Sequence, residues 1–325
     1  MTTTYEAPSD TVLRRIVELA VRAPSVHNTQ PWRWRAHHGM VELHADRSRQ
    51  LRAADPLGRN LIISCGVALH HAQVAAQALG WSCDVRRIPE GPASTQLARV
   101  RFTRAEPTAD SAELVRAIER RCTDRRRFTS WPVPEERLSH LALRATAWGT
   151  RALPLLDVAD RFRTELLAHR ALELQKSDRR IVRELDAWLD HETPDGIPRS
   201  VLPDERAAQR PSRFPAGVLE ESEGREVEGS DGLIVICSVD DDPRAWLQAG
   251  EGLSAMWLAA TIDGLSVVPL SQVVEVPETR AALQREVLGE LAHPIILARV
   301  GWQAISRSEL PRTTRRPVDE VLDVS

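Results

Sequence analysis

The stretch Ala23-Pro-Ser-Val-His-Asn-Thr-Gln-Pro-Trp32 sets three small hydrogen-bonding side chains, Ser25, Asn28 and Gln30, among Pro24, Pro31 and Trp32. Such a string suits the rigid polar edge of a flat ligand resting on an apolar face, and it suits equally a capped turn plugged by an aromatic ring. A second cluster, Arg120-Arg-Cys-Thr-Asp-Arg-Arg-Arg-Phe128, holds five arginines and a threonine hydroxyl. Guanidinium groups at that density grip a phosphate bidentately and leave a cation for another anionic centre, or else they solvate a helix end and complement its dipole. Arg312-Thr-Thr-Arg-Arg-Pro317 poses the same choice. Other chemistries have no support. His70 and His71 are adjacent on a helical pattern and point to different faces, so they share no metal. Cys65, Cys83, Cys122 and Cys237 lie far apart, which excludes a zinc knuckle or a disulfide framework and fits a reducing compartment. No Gly-x-Ser-x-Gly or Cys–His signature of a nucleophile is present.

The elements around these clusters follow from apolar spacing. Val12, Leu13, Ile16, Val17, Ala20 and Val21 recur at helical intervals after the candidate caps Ser9 and Asp10, and Pro24 ends the run. Trp32 and Trp34 alternate with Arg33 and Arg35, then His38-Gly39 and Met40-Val41-Glu42-Leu43 complete a hairpin signal. A long apolar helix is predicted from about Arg59 to Leu79, closing on Gly80, followed by strands at Trp81–Arg87 and Leu97–Phe102. The arginine cluster follows a helical pattern at Leu114–Ile118 and precedes Pro132-Val133-Pro134. His191–Gly232, with Pro194, Pro198, Pro203, Pro211 and Pro215, cannot form a long helix; it reads as a lid or a disordered excursion.

Part of this order recurs. Cys65–Gly80 aligns without gaps on Ala249–Gly264, sharing Gly66/Gly250, Leu69/Leu253, Ala75-Ala76/Ala259-Ala260 and Gly80/Gly264, and Leu97-Ala-Arg-Val-Arg-Phe102 echoes Leu297-Ala-Arg-Val-Gly-Trp302. An internal duplication accounts for both matches, with its boundary near the polar stretch Thr103–Ser111. The 325 residues, 42% hydrophobic, are enough for a sizeable core. Lysine and arginine number 43 against 46 acidic residues, so the net charge of −3 supplies no global field for a nucleic acid. Lys176 is the only lysine, an arginine bias that reflects coding composition more than chemistry. The opening residues show no targeting pattern, and no uncharged apolar run approaches the ~18 residues of a membrane span, so a cytoplasmic location is expected.

The Ala-Pro-Ser string, the Arg121-x-Thr123-x-Arg125 motif, Gly-Leu-Ser-Val-Val-Pro-Leu at 264–270 and Arg-Arg-Pro-Val-Asp-Glu-Val-Leu at 315–322 together resemble the FMN-dependent nitroreductase family. The length and layout resemble its actinobacterial Acg-type branch, in which one chain looks like a fused, lopsided homodimer. The resemblance runs over most of the chain outside about 160–230 and implies an α+β, nitroreductase-like FMN-binding fold. In it, antiparallel sheets covered by helices are duplicated in one chain as a pseudo-dimer. The halves are then a truncated first repeat, residues 1–105, and a second, 106–325, with a lid-like insertion at about 190–231. The first half keeps Ala23–Trp32 but has no arginine helix before it; the second keeps Arg121–Phe128 and has Arg144-Ala-Thr-Ala-Trp-Gly149 in place of the loop. One flavin pocket per chain is implied, with the pseudo-symmetric site empty.

Residue by residue, the resemblance gives Arg121 and Thr123 contacts to the phosphate and ribityl chain, and Arg125 the cation near flavin N1 and O2. One extra residue before Phe128 makes Arg126 an alternative to Arg125. Ser25, His27 and Asn28 match the loop that reaches the flavin from the other half, and Gln30 supports it. Pro269, Leu270, Ser271 and Gln272 match the strand end near N5, and Arg315 and Arg316 the tail cations that close on the phosphate. The expected activity is an FMN-dependent oxidoreductase passing hydride or two electrons from NADH or NADPH to a nitroaromatic or quinone-like acceptor, with no catalytic side chain and no metal. The alternative is an Acg-type protein that stores or sequesters FMN beneath its lid. Expected partners are a small-molecule acceptor and no nucleic acid or membrane, the chain acting as a pseudo-dimeric monomer or as a homodimer of such chains.

Overall fold

The computed structural model describes residues 7–125, 128–188, 195–197, 231–303 and 312–324. The lid-like segment and Arg126 fall outside the described residues, apart from the short piece 195–197. Helix α1 (Asp10–Ala20) buries Leu13, Ile16, Val17 and Ala20, and its Val12 amide donates to the Ser9 hydroxyl at 3.4 Å. The chain continues through β1 (Trp32–His37), β2 (Met40–Ala45), α2 (Arg59–Ala78), β3 (Trp81–Arg87) and β4 (Gln96–Arg104). Next come α3 (Ser111–Arg120), α4 (Glu135–Thr146), β5 (Arg151–Pro154), α5 (Val158–Ser177), α6 (Arg179–Asp186) and β6 (Gly232–Ser238). Last are α7 (Pro243–Ile262), β7 (Leu265–Leu270), α8 (Gln272–Glu275), α9 (Pro277–Glu286), β8 (His293–Trp302), α10 (Val318–Val321) and β9 (Leu322–Val324).

The strands form two sheets, in the orders β3-β4-β2-β1-β9 and β5-β6-β8-β7. All pairings are antiparallel except β1 with β9, where Trp34 lies opposite Leu322. The first sheet is thus closed by a strand from the far end of the sequence. Nothing in the alternation of Trp32–His37 announces that partner, because the inner face of β1 reads the same whatever pairs at its edge.

Between the sheets α2 packs on α7. A Cβ on Gly66 would come within 2.1 Å of the Leu247 carbonyl oxygen, and one on Gly250 within 2.1 Å of that of Ile63. The glycines shared by the repeat therefore mark the place where two helix backbones touch, which no larger residue allows. Both helices are apolar around most of their circumference because they are enclosed on most sides. Among the described residues α2 is the one helix long and apolar enough to cross a membrane, and 83% of that stretch is buried inside the fold. Helix α5 had no clear sequence signal: it buries small and polar residues such as Thr164, Ala168 and Gln175 while Val158, Phe162 and Leu166 stay exposed, so no apolar stripe marks its inner face.

Candidate functional site

The seam between α2 and α7 opens into a cavity of about 1060 Å³, its open mouth included. The first half contributes the turn Pro24–His27 and the α2 face Asn60, Ile63, Ser64 and Val67. The second contributes Thr123 and Arg125 after α3, Leu253 and Trp257 on α7, Val268–Gln272 at the end of β7, and Ile296 and Arg299 on β8. Of the residues singled out from the sequence, Ser25, His27, Thr123, Arg125, Pro269, Leu270, Ser271 and Gln272 face this one space.

The turn is held in an unusual backbone. His27, Asn28 and Gln30 have φ of 45°, 54° and 48°, a region that costs a non-glycine residue of order 1 kcal/mol or more. Side-chain contacts hold it there. Val26 N donates to Ser64 Oγ at 3.2 Å and Gln30 N to Ser25 Oγ at 2.9 Å. Asn28 Nδ2 donates to the carbonyls of Gly196 (2.9 Å) and Thr314 (3.2 Å). Asn28 Oδ1 accepts from Arg315 Nη1 at 3.1 Å, and Gln30 Oε1 from the Arg316 amide at 2.8 Å. Asn28 and Gln30 therefore clasp the 312–317 tail and do not line the cavity. The Arg316 guanidinium turns to Glu320, 3.4 Å from Nε.

Arg121 stacks over the Trp257 ring at 4.7 Å, and its Nε and Nη1, both buried, have no hydrogen-bond partner among the described residues. Burial, with the Arg312 cation nearby, pushes its guanidinium down to about 10. Arg315 is pushed down to about 9 by burial and then by Arg121 and Arg22, and its Nε is likewise without a partner among the described residues. Two buried cations weigh on each other beside a cavity whose floor, Val268–Leu270, is largely apolar. Buried donors of this kind are costly unless an anion completes them, so the donor set fits a phosphate monoester attached to a flat apolar body.

Trp257, Asn60, Ser64 and Arg299 were missed in the sequence reading. For Arg299 a signal existed, because Leu297-Ala-Arg-Val repeats Leu97-Ala-Arg-Val. In the first copy Arg99 pairs with Glu42 at 3.1 Å and Glu90 at 3.5 Å. In the second, buried Arg299 stacks 4.4 Å from Phe128, lies 3.6 Å from Asp231 and donates to the Arg125 carbonyl at 3.4 Å, which ties the Thr123–Arg125 loop to β8.

The matched stretches Cys65–Gly80 and Ala249–Gly264 set Glu251 where Val67 stands and Gln73 where Trp257 stands, and the strand registers set Arg87, opposite Ala98, where Pro269 stands, opposite Ala298. Arg87 reaches the fully buried Glu251 carboxylate at 2.6 and 2.8 Å, and Gln73 Nε2 does so at 2.7 Å. Trp148 packs its edge on His70, ring centres 4.5 Å apart.

No family model matches the chain. It is 37% identical over 320 residues to the Mycobacterium tuberculosis protein named "Putative NAD(P)H nitroreductase Rv3131", covering 97% of this chain and 92% of that one. Identity is 36% over 323 residues to "Putative NAD(P)H nitroreductase acg" of the same organism, covering 96% of each. Among solved structures, a nitroreductase with bound FMN from Bacteroides fragilis aligns over 62% of this chain and 95% of its own, with a TM-score of 0.40 and 15% identity. A protein described as a "putative nitroreductase" from Anabaena variabilis aligns over 92% and 90%, with a TM-score of 0.49 and 9% identity.

Proposed function

The chain belongs to the nitroreductase family, in its Acg-type branch, and on that premise we propose that the seam cavity holds FMN and that the protein is an oxidoreductase drawing on NADH or NADPH. The observation that carries this reading is the convergence on one cavity of the Ser25 turn, the Thr123–Arg125 loop and the Pro269–Gln272 strand end, beside two buried arginines lacking an anion partner among the described residues. FMN, when bound, supplies the two-electron redox chemistry, so the side chains need only bind, orient and stabilise charge. Arg121 and Arg315 bind the phosphate and Thr123 offers a hydroxyl to the ribityl side. Arg125 sets a positive charge against the pyrimidine edge, where reduction accumulates negative charge. Leu270, Ser271 and Gln272 bound the space in which donor and acceptor alternate, the acceptor being a flat nitroaromatic or quinone-like small molecule. We divide the chain near residue 105 into two repeats, with β9 returning to the first sheet, and assign it a cytoplasmic setting with no nucleic-acid or membrane partner.

Mixing the purified yellow protein with NADPH or NADH without oxygen tests the reading. Bleaching of the oxidised flavin band, reversed by a nitroaromatic or a quinone, is the expected result. Persistent absorbance would remove the enzyme and leave flavin storage; protein that takes up no FMN would remove both.

A further inference from the structure

His71 takes no part in the cavity lining, yet it lies on the same side of α2. Ser64, Val67 and His71 are spaced three and four residues apart, so His71 extends by one turn the face that looks onto the cavity. Its side chain is fully buried, and neither ring nitrogen has a hydrogen-bond partner among the described residues. A buried imidazole in that state is costly in a well-packed helix interface.

The groups facing it come from every side. Arg121 projects from the end of α3, Arg315 from the tail and His70 from α2 itself, and the Leu19 backbone of α1 lies close by. Burial first, then Arg121, His70 and Arg315, keep the ring neutral by holding it well below the usual imidazole range. Arg121 and Arg315 carry unpartnered donors of their own and both act on His71, and Arg121 stacks on Trp257 of the cavity lining, so three groups from three separate elements gather near that ring.

Resting on the reading of this cavity as an FMN site, we propose that His71 is a third phosphate ligand and that it gains a proton when the phosphate arrives. A dianion placed among Arg121, Arg315 and His71 reverses the local potential that disfavours the imidazolium. The balance is simple: one proton moves from solvent to the ring nitrogen left without one, the N–H so formed donates to a phosphate oxygen, and no covalent bond changes. Cofactor affinity then falls as pH rises, by up to about tenfold per pH unit where a full proton is taken up. The phosphate's own second ionisation, near pH 6, acts in the opposite direction and is complete by pH 7.5.

The test is calorimetric titration of the flavin-stripped full chain with FMN at pH 7.5 in buffers of different ionisation enthalpy, alongside His71→Gln, His71→Asn and riboflavin. The expected result is net proton uptake on FMN binding by the unsubstituted chain, its loss in both variants together with about tenfold weaker FMN binding, and unchanged riboflavin binding. Equal proton uptake in the chain and its variants would overturn the proposal, whichever way affinity moves. Failure of both FMN and riboflavin to bind the unsubstituted chain would instead overturn the reading of the cavity. Riboflavin binding retained by the variants shows that they are folded.

Discussion

The two sides of the α2–α7 seam share part of a sequence pattern and are filled in opposite ways. On the cavity side stand Val67, Trp257 and Pro269, all apolar, and the nearby charges, Arg121 and Arg315, share one sign. On the far side the matching positions are Glu251, Gln73 and Arg87, which satisfy one another and occupy the space. A closed polar network is a structural plug, whereas buried donors without acceptors make a receptor. Charge alone does not distinguish the sides, since both bury arginines; what differs is whether the partner comes from the chain or must come from outside.

Substitutions that swap those conditions break the comparison. Arg121→Ala carries the largest expected effect, losing about 1.5–3 kcal/mol for each charge-assisted hydrogen bond to the phosphate. The variant should purify largely colourless, and an unchanged flavin-to-protein ratio would place the phosphate elsewhere. Glu251→Ala acts on the plug: partly exposed Arg87 and Gln73 lose their buried acceptor, which costs about 1–3 kcal/mol. Urea unfolding should register that loss while flavin content stays level; the reverse pattern would mean that the far side also serves the cofactor.

A finer contrast concerns how the paired helices begin. The exposed start of α7 is capped by Asp242, which accepts from Ala245 N at 2.8 Å, while α2 relies on buried Asp55, whose carboxylate accepts from Leu61 N at 3.0 Å. Burial, opposed by that amide and assisted by Glu275, pushes Asp55 up to about 6. Because the folded chain then holds this proton more tightly than the unfolded chain, stability is greatest at low pH and declines as pH rises from about 4 to about 6. Asp55→Asn keeps an acceptor and removes the titration. Its stability relative to the parent should therefore improve by up to about 3 kcal/mol between pH 4 and pH 7. Paired denaturation curves at the two pH values check this, and a constant difference would contradict it.

The long helices and their shared glycines were legible because Gly66 and Gly250 are demanded by a backbone contact, and such a demand leaves the same letter in both helices. The turn at Ser25 was legible for a similar reason, since hydroxyl and amide side chains beside proline are what hold residues at positive φ. Arg299 was marked only by the echo of Leu97-Ala-Arg-Val, which does not give its partners: an arginine in a strand reads alike whether it pairs with Glu42 or stacks on Phe128, and only tertiary placement separates the two. Asn28 was assigned to the cofactor, yet its amide secures the tail, and nothing local to the motif indicates what lies 286 residues away.

Pairing of β9 with β1 has a bearing on biogenesis. A ribosome delivers β1 to β4 early, but β9, which covers the margin of that sheet, emerges only after the whole second sheet. Through that interval β1 is an unprotected border, open to wrong partners. Arg315 precedes β9 by a few residues, so the docking that seals the border also brings its guanidinium onto Asn28. On the proposed FMN reading, capture of the cofactor and completion of the nascent first sheet become a single late event, and a chain cut short before β9 forfeits both at once.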